Sequence, residues 1–117
     1  SEIGVRDPLD PHKIVSTVLL RDEAVATSAN DERSLSIAGR RYGHILDPRT
    51  GWPVDGDLLS VSVVAASATL ADALSTALFI LGPDQGIRRA RQLGARQVVF
   101  VRRGKWTKRI RVEEVCL

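Results

Sequence analysis

Short apolar runs broken by polar turns fill the first half of the chain, and a helical period takes over after residue 66. Ile14–Leu20 is apolar and β-branched, and Ala24–Ser28 follows the polar turn Arg21-Asp22-Glu23, so the two runs predict a hairpin. Ahead of them, Ser1–Lys13 with its "RDPLDP" reads as a strand end and a loop. Ser34–Ala38 alternates Leu35 and Ile37 against serines, and Gly39 turns the chain into Arg41–Leu46, a second hairpin. Leu58–Ala65 is a buried strand of Leu and Val.

The helical signal starts at Thr69. Leu70, Ala73, Leu74, Ala77, Leu78 and Leu81 form one stripe at the helical spacing, which predicts a helix over Thr69–Leu81 with that stripe in the core. Gly82 suits the residue after a helix and Pro83 the first turn of the next, a helix over about Asp84–Leu93 closed by Gly94. Gln97–Val101 and Thr107–Val115 are strands around a turn at Arg102–Lys105. Strands in hairpins with two consecutive helices predict an α+β fold, a mainly antiparallel sheet with both helices packed on one face.

With 117 residues the chain is one domain or part of one, and 44% apolar with 26% charged residues is ordinary for a globular protein. No apolar run approaches the roughly 20 residues of a membrane span. Methionine is absent, which predicts a piece of a longer product. Cys116, the single cysteine, excludes an internal disulfide and a thiolate metal cluster. Charge is uneven: from Arg88 onward ten Arg and Lys face only Glu113 and Glu114, whereas residues 1–87 carry seven basic and twelve acidic groups. That basic end reads as the solvated face of a helix and two strands, or as an attractor of phosphates. As a nucleic-acid module it is poor. Phe100 and Trp106 are its only aromatics, too few for base stacking, and no zinc or helix-turn-helix pattern accompanies them.

Two places carry candidate chemistry. On the first helix Asp72 and Thr76 stand four residues apart, so carboxylate and hydroxyl share a face and suit a hard cation such as Mg²⁺. The competing reading is a capping box, Thr69 to Asp72, in which the acid satisfies a free N–H at the helix start. Thr76 lies outside any cap, beside Phe79, which the stripe leaves on the open face next to a half-dry pocket. In "YGHILDPRTGWPV", Tyr42, His44 and Leu46 share one side of a strand that ends in the turn Asp47-Pro48-Arg49-Thr50-Gly51. His44 is then a base near neutral pH or a structural side chain, and Asp47 a turn former or a ligand contact.

Together the stretches "HILDPRTGWPV" and "VSVVAASATLADALSTALFILGPDQG" resemble the ApbE family of FAD:protein FMN transferases, formerly described as thiamine-biosynthesis lipoproteins. "IGVRDPLDP" and "LLRDEAVATSAN" resemble the family's preceding strands, so the likeness runs through nearly the whole chain. It implies the C-terminal part of a T-fold-like flavin transferase domain whose N-terminal half is absent. The implied activity is Mg²⁺-dependent cleavage of FAD, with FMN attached to a threonine of an acceptor protein and AMP released. By position, Asp72 and Thr76 are implied metal ligands, His44 the group that helps deprotonate the acceptor, and Ile45, Leu46 and Asp47 the lining of the flavin site. Arg49 is implied to brace the turn. Where the family has Thr-Ser-Gly this chain has Thr27-Ser28-Ala29, and a Cβ there is expected to obstruct a left-handed backbone or a close ligand. The resemblance also implies that this piece does not perform the transfer alone. A degenerate flavin-binding or regulatory module is the alternative.

Overall fold

A computed structural model describes residues 1–29, 35–37, 40–42, 58–103 and 109–117, the two three-residue segments by their backbone. The architecture is α+β, and the described residues form, in order, β1 (Glu2–Asp7), β2 (Asp10–Leu19), β3 (Ala24–Ala29), β4 (Leu35–Ile37), β5 (Arg40–Tyr42), β6 (Leu58–Ala65), α1 (Ala68–Leu81), α2 (Pro83–Gln92), β7 (Gln97–Arg103) and β8 (Ile110–Cys116).

The central sheet is antiparallel in the order β3-β6-β7-β8. Every residue of β6 is buried, because this strand has a neighbour on each side and a layer over each face. Val61, Val63 and Ala65 face α1 and α2, where they join Val98, Phe100, Ala71, Leu74, Leu78, Phe79 and Ala90. Val64 faces the other way, packed with Val99 and with Val5 and Val18 from β1 and β2. Helices cover one face of the sheet as the pattern predicts, and a β-hairpin covers the other.

That hairpin corrects the sequence reading. Residues 1–13 contribute all of β1 and the start of β2, which pair with each other from Glu2↔Leu19 to Asp7↔Asp10. The hairpin expected between Ile14–Leu20 and Ala24–Ser28 does not form: β3 pairs with β6 instead, Ala24↔Ala65 through Ala29↔Ser60. The polar turn is a corner between two sheets. Asp22 bends it with φ of 51°, and Arg96 anchors it, donating from Nε to Glu23 at 2.7 Å and from Nη2 to the Leu19 carbonyl at 2.6 Å. The hydrogen bond from Arg96 holds the Glu23 carboxyl below its ordinary pKa. In the second expected hairpin β4 pairs with β5 from Leu35↔Tyr42 to Ile37↔Arg40, and the rest of the expected strand to Leu46 lies outside the described residues.

At the junction of the helices Gly82 serves both, with φ of 79° after α1 and immediately before Pro83. A side chain at that φ is strained, so the Gly-Pro pair sets the sharp turn. Gly86 lets α2 lie close against α1: a Cβ there would sit 2.3 Å from Leu78 Cδ2. β7 starts at Gln97 as expected but runs on through Arg102 and Arg103, which were expected to open the turn. β8 runs from Ile110 to Cys116, with Arg102 pairing with Arg111 and Arg103 with Ile110. The turn between them lies largely outside the described residues.

Beyond the bulge at Leu58/Ser60, the alternation of β6 places Ser60 and Ser62 on the face away from the helices. Ser62 Oγ shares a 2.7 Å hydrogen bond with Thr27 Oγ1 across the β3–β6 pair. Ser60 is 1% exposed, and its Oγ has no hydrogen-bond partner among the described residues. Burying an unpaired hydroxyl costs about 1–3 kcal/mol. Ser60→Ala is therefore expected to raise stability by about 1 kcal/mol in urea unfolding of the full-length chain. A loss of that size would mean the hydroxyl has a role in the native state.

Candidate functional site

The start of α1 decides what Asp72 is free to do. Ser67 is the N-cap, in an extended conformation, with Oγ accepting from the Leu70 amide at 3.1 Å. The first turn of the helix holds no acidic residue. Asp72 lies past that turn, so the capping box from Thr69 to Asp72 is replaced by a cap two residues earlier. Its carboxylate is exposed and takes part in no hydrogen bond or ion pair among the described residues.

The buried face of α1 is also displaced from the expected stripe. Ala71, Leu74, Ser75, Leu78 and Phe79 are buried, while Ala73 and Ala77 are exposed and Leu81 is 37% exposed. Phe79 is 2% exposed, a core side chain rather than the wall of an open pocket. Asp72 therefore borders the solvent side of the helix and Thr76 its half-buried margin, one turn apart on the same face.

Thr76 is held from the sheet. Ser28, on β3, reaches α1 with Oγ 3.2 Å from Thr76 Oγ1 and 2.9 Å from Ser75 Oγ. Ser75 in turn donates to the carbonyl oxygen of Asp72 at 3.0 Å. Ser28 faces the helices because it pairs with Val61, whose side chain also lies in the helix-side core. Its neighbour Thr27 points to the opposite face, towards Ser62. This hydroxyl cluster is absent from the sequence-based site. The sequence carries no usable signal for it: Ser75 is polar and lies off the expected stripe, and only the structure shows it in phase with the buried Ala71 and Phe79.

Ala29 belongs to β3, opposite Ser60, and Asp22 is the only non-glycine residue with positive φ among the described residues. The expected conflict between a Cβ and a left-handed backbone is therefore absent at Ala29. His44, Ile45, Leu46, Asp47 and Arg49 lie outside the described residues, His44 two positions beyond the end of β5 at Tyr42.

Among the described residues no three His, Cys, Asp or Glu side chains come together. Magnesium does not require such a cluster, since it takes one or two protein oxygens and completes its shell with water and phosphate oxygens. Asp72 and Thr76 offer a donor set of that kind, one carboxylate and one hydroxyl. Elsewhere an open hollow of ≈ 610 Å³ is lined by Leu19, Arg21, Asp22, Glu23, Ala66 and Arg96, and it contains none of the expected site residues.

Comparison with known proteins gives a consistent picture. The model of the ApbE family matches residues 1–100. An FAD:protein FMN transferase of Treponema pallidum is 40% identical over 100 residues, 85% of this chain and 28% of that protein. The crystal structure of the ApbE protein from Thermotoga maritima superposes with a TM-score of 0.77 at 37% identity, covering 97% of this chain and 35% of that one. The flavinyl transferase ApbE of Pseudomonas stutzeri, in its apo form, gives a TM-score of 0.72 at 32% identity, with 97% and 34% covered. The chain thus spans about a third of the length of the relatives it matches.

Proposed function

Since this chain belongs to the ApbE family, we propose that it is the C-terminal part of a Mg²⁺-dependent FAD:protein FMN transferase. The substrates in this reading are FAD and a threonine-bearing acceptor protein. The observation that carries it is the pair Asp72 and Thr76. Once Ser67 is the cap, an exposed carboxylate without a partner among the described residues and a hydroxyl one turn away have no structural duty at the helix start.

In this reading Asp72 and Thr76 hold the cation through oxygen, the donor type that Mg²⁺ prefers. When bound, Mg²⁺ neutralises the pyrophosphate and offsets the charge that develops on the departing phosphate. His44 accepts the proton of the acceptor threonine hydroxyl. The threonine oxygen bonds to the phosphorus of the FMN moiety, the bond from that phosphorus to the bridging oxygen breaks, and AMP leaves with that oxygen. Ile45, Leu46 and Asp47 line the flavin site in this reading. Because the chain covers a third of its relatives, the transfer is assigned to the full-length protein and this piece alone is expected to be inactive.

The test is direct. Full-length protein is incubated with FAD, Mg²⁺ and a threonine-bearing acceptor, and mass spectrometry reads the acceptor. An added FMN, lost when Mg²⁺ is chelated, supports the proposal. FAD that binds but is neither cleaved nor transferred would replace it with a flavin-binding module.

A further inference from the structure

The direction of the protons in the hydroxyl cluster on α1 follows from counting donors. A serine or threonine hydroxyl has one proton to donate and two lone pairs that accept. Ser75 must donate to the Asp72 oxygen, because a carbonyl only accepts. Its proton is then spent, so the 2.9 Å contact with Ser28 is donated by Ser28. Ser28's proton is spent in turn, so the 3.2 Å contact with Thr76 is donated by Thr76. Ser75 is 0% and Ser28 7% exposed, and at such positions a hydroxyl proton left without an acceptor is costly. The chain of donation runs one way, from Thr76 to Ser28 to Ser75 to the backbone of Asp72.

A threonine inside a helix ordinarily turns its hydroxyl back onto the carbonyl three or four residues earlier. For Thr76 the carbonyl four residues back is that of Asp72, which already accepts from Ser75 in addition to its place in the helical ladder. Ser28 Oγ lies 3.2 Å away, and the donor count above makes it the acceptor that Thr76 uses among the described residues. The proton of Thr76 therefore points into the sheet, and its lone pairs are left for a different partner. A hydroxyl that coordinates a hard cation must present a lone pair and send its proton elsewhere.

We infer that Ser28 is a positioning residue: by accepting the hydroxyl proton of Thr76 it orients that oxygen as a cation ligand on the face it shares with Asp72. The inference rests on the metal reading of Asp72 and Thr76. It adds a residue from a different strand, 48 positions away, that need not touch the ion. It also gives a role to the two buried serines at the contact between β3 and α1, where alanine would pack without polar cost.

The experiment measures Mn²⁺ affinity by electron paramagnetic resonance on the full-length protein at a fixed FAD concentration, for Ser28→Ala, Thr76→Val, the double variant and Asp72→Asn. Ser28→Ala is expected to weaken Mn²⁺ binding roughly tenfold, the low end for groups that orient a metal ligand. In the Thr76→Val background the same change is expected to cost nothing further, because residues acting through one oxygen are not additive. Ser28→Thr, which keeps the hydroxyl, is expected to retain the affinity. Should Ser28→Ala fail to fold, Ser75→Ala cuts the same chain of donation one link on and is read by the same cycle. Equal losses with and without the Thr76 hydroxyl would mean a merely structural role and overturn the inference, as would no loss at all. Unchanged Mn²⁺ binding in both Asp72→Asn and Thr76→Val would instead overturn the metal reading, and this inference with it.

Discussion

On the proposed metal reading, Asp72→Ala in the full-length protein is expected to lower FMN transfer at least about a hundredfold, since loss of a direct ligand would exceed the loss of the groups that merely orient one. Stability should stay within about 0.5 kcal/mol of the parent, because the side chain is exposed and is not the helix cap. Ser67→Ala is the matched control. It removes the hydrogen bond to the Leu70 amide and should cost about 1 kcal/mol while sparing transfer. Mass spectrometry of the acceptor and urea unfolding of both variants separate the two effects. Transfer that survives in a folded Asp72→Ala protein would sink the metal assignment.

The second large effect concerns packing. Phe79→Ala is expected to destabilise by about 3–5 kcal/mol, the range for deleting a fully buried aromatic side chain. Against a typical total of about 5–15 kcal/mol that is a major share of the fold's stability. Ala77→Ser makes the contrast. Ala77 lies on the face that periodicity assigns to the core, yet it is exposed, so the change should stay within about 0.5 kcal/mol. A costly Ala77→Ser together with a near-neutral Phe79→Ala would put the buried face of α1 back on the original stripe.

The displacement of that face has a plain cause. α1 is apolar nearly all round, and a 3.6-residue period cannot be phased where most positions on the helix are acceptable to a core. Asp72 marks the exposed side, but Ser75 misleads, being polar and fully buried through its bonds to Ser28 and to the Asp72 carbonyl. The cap was ambiguous for a similar reason. Ser67 and Thr69 are both good N-cap residues, and only the path of the chain out of β6 selects the first.

Other features were open to a local reading because their physics is local. Gly82-Pro83 allows no continuous helix, so α1 and α2 separate where the sequence places the break. The run Leu58–Ala65 is too apolar for an edge strand, and β6 occupies an inner position of its sheet. The spacing of Asp72 and Thr76 follows from helical geometry alone, and the family resemblance in "ADALSTALFILG" rests on those same residues.

Strand partnership was not open to it. Nothing in Ala24–Ser28 states that its partner is Val61–Ala65 rather than the adjacent Ile14–Leu20, since either run would satisfy its backbone hydrogen bonds equally well. The choice is made by Arg96, which anchors the corner after β2, and by the burial of Ala26 and Ser28 against α1. The same choice brings Ser28 beside Thr76. Chain-local chemistry thus places a carboxylate and a hydroxyl on one helix face. The direction in which that hydroxyl points depends on a strand 48 residues away, a relation that exists only once non-local pairing and packing have brought β3 under the helix.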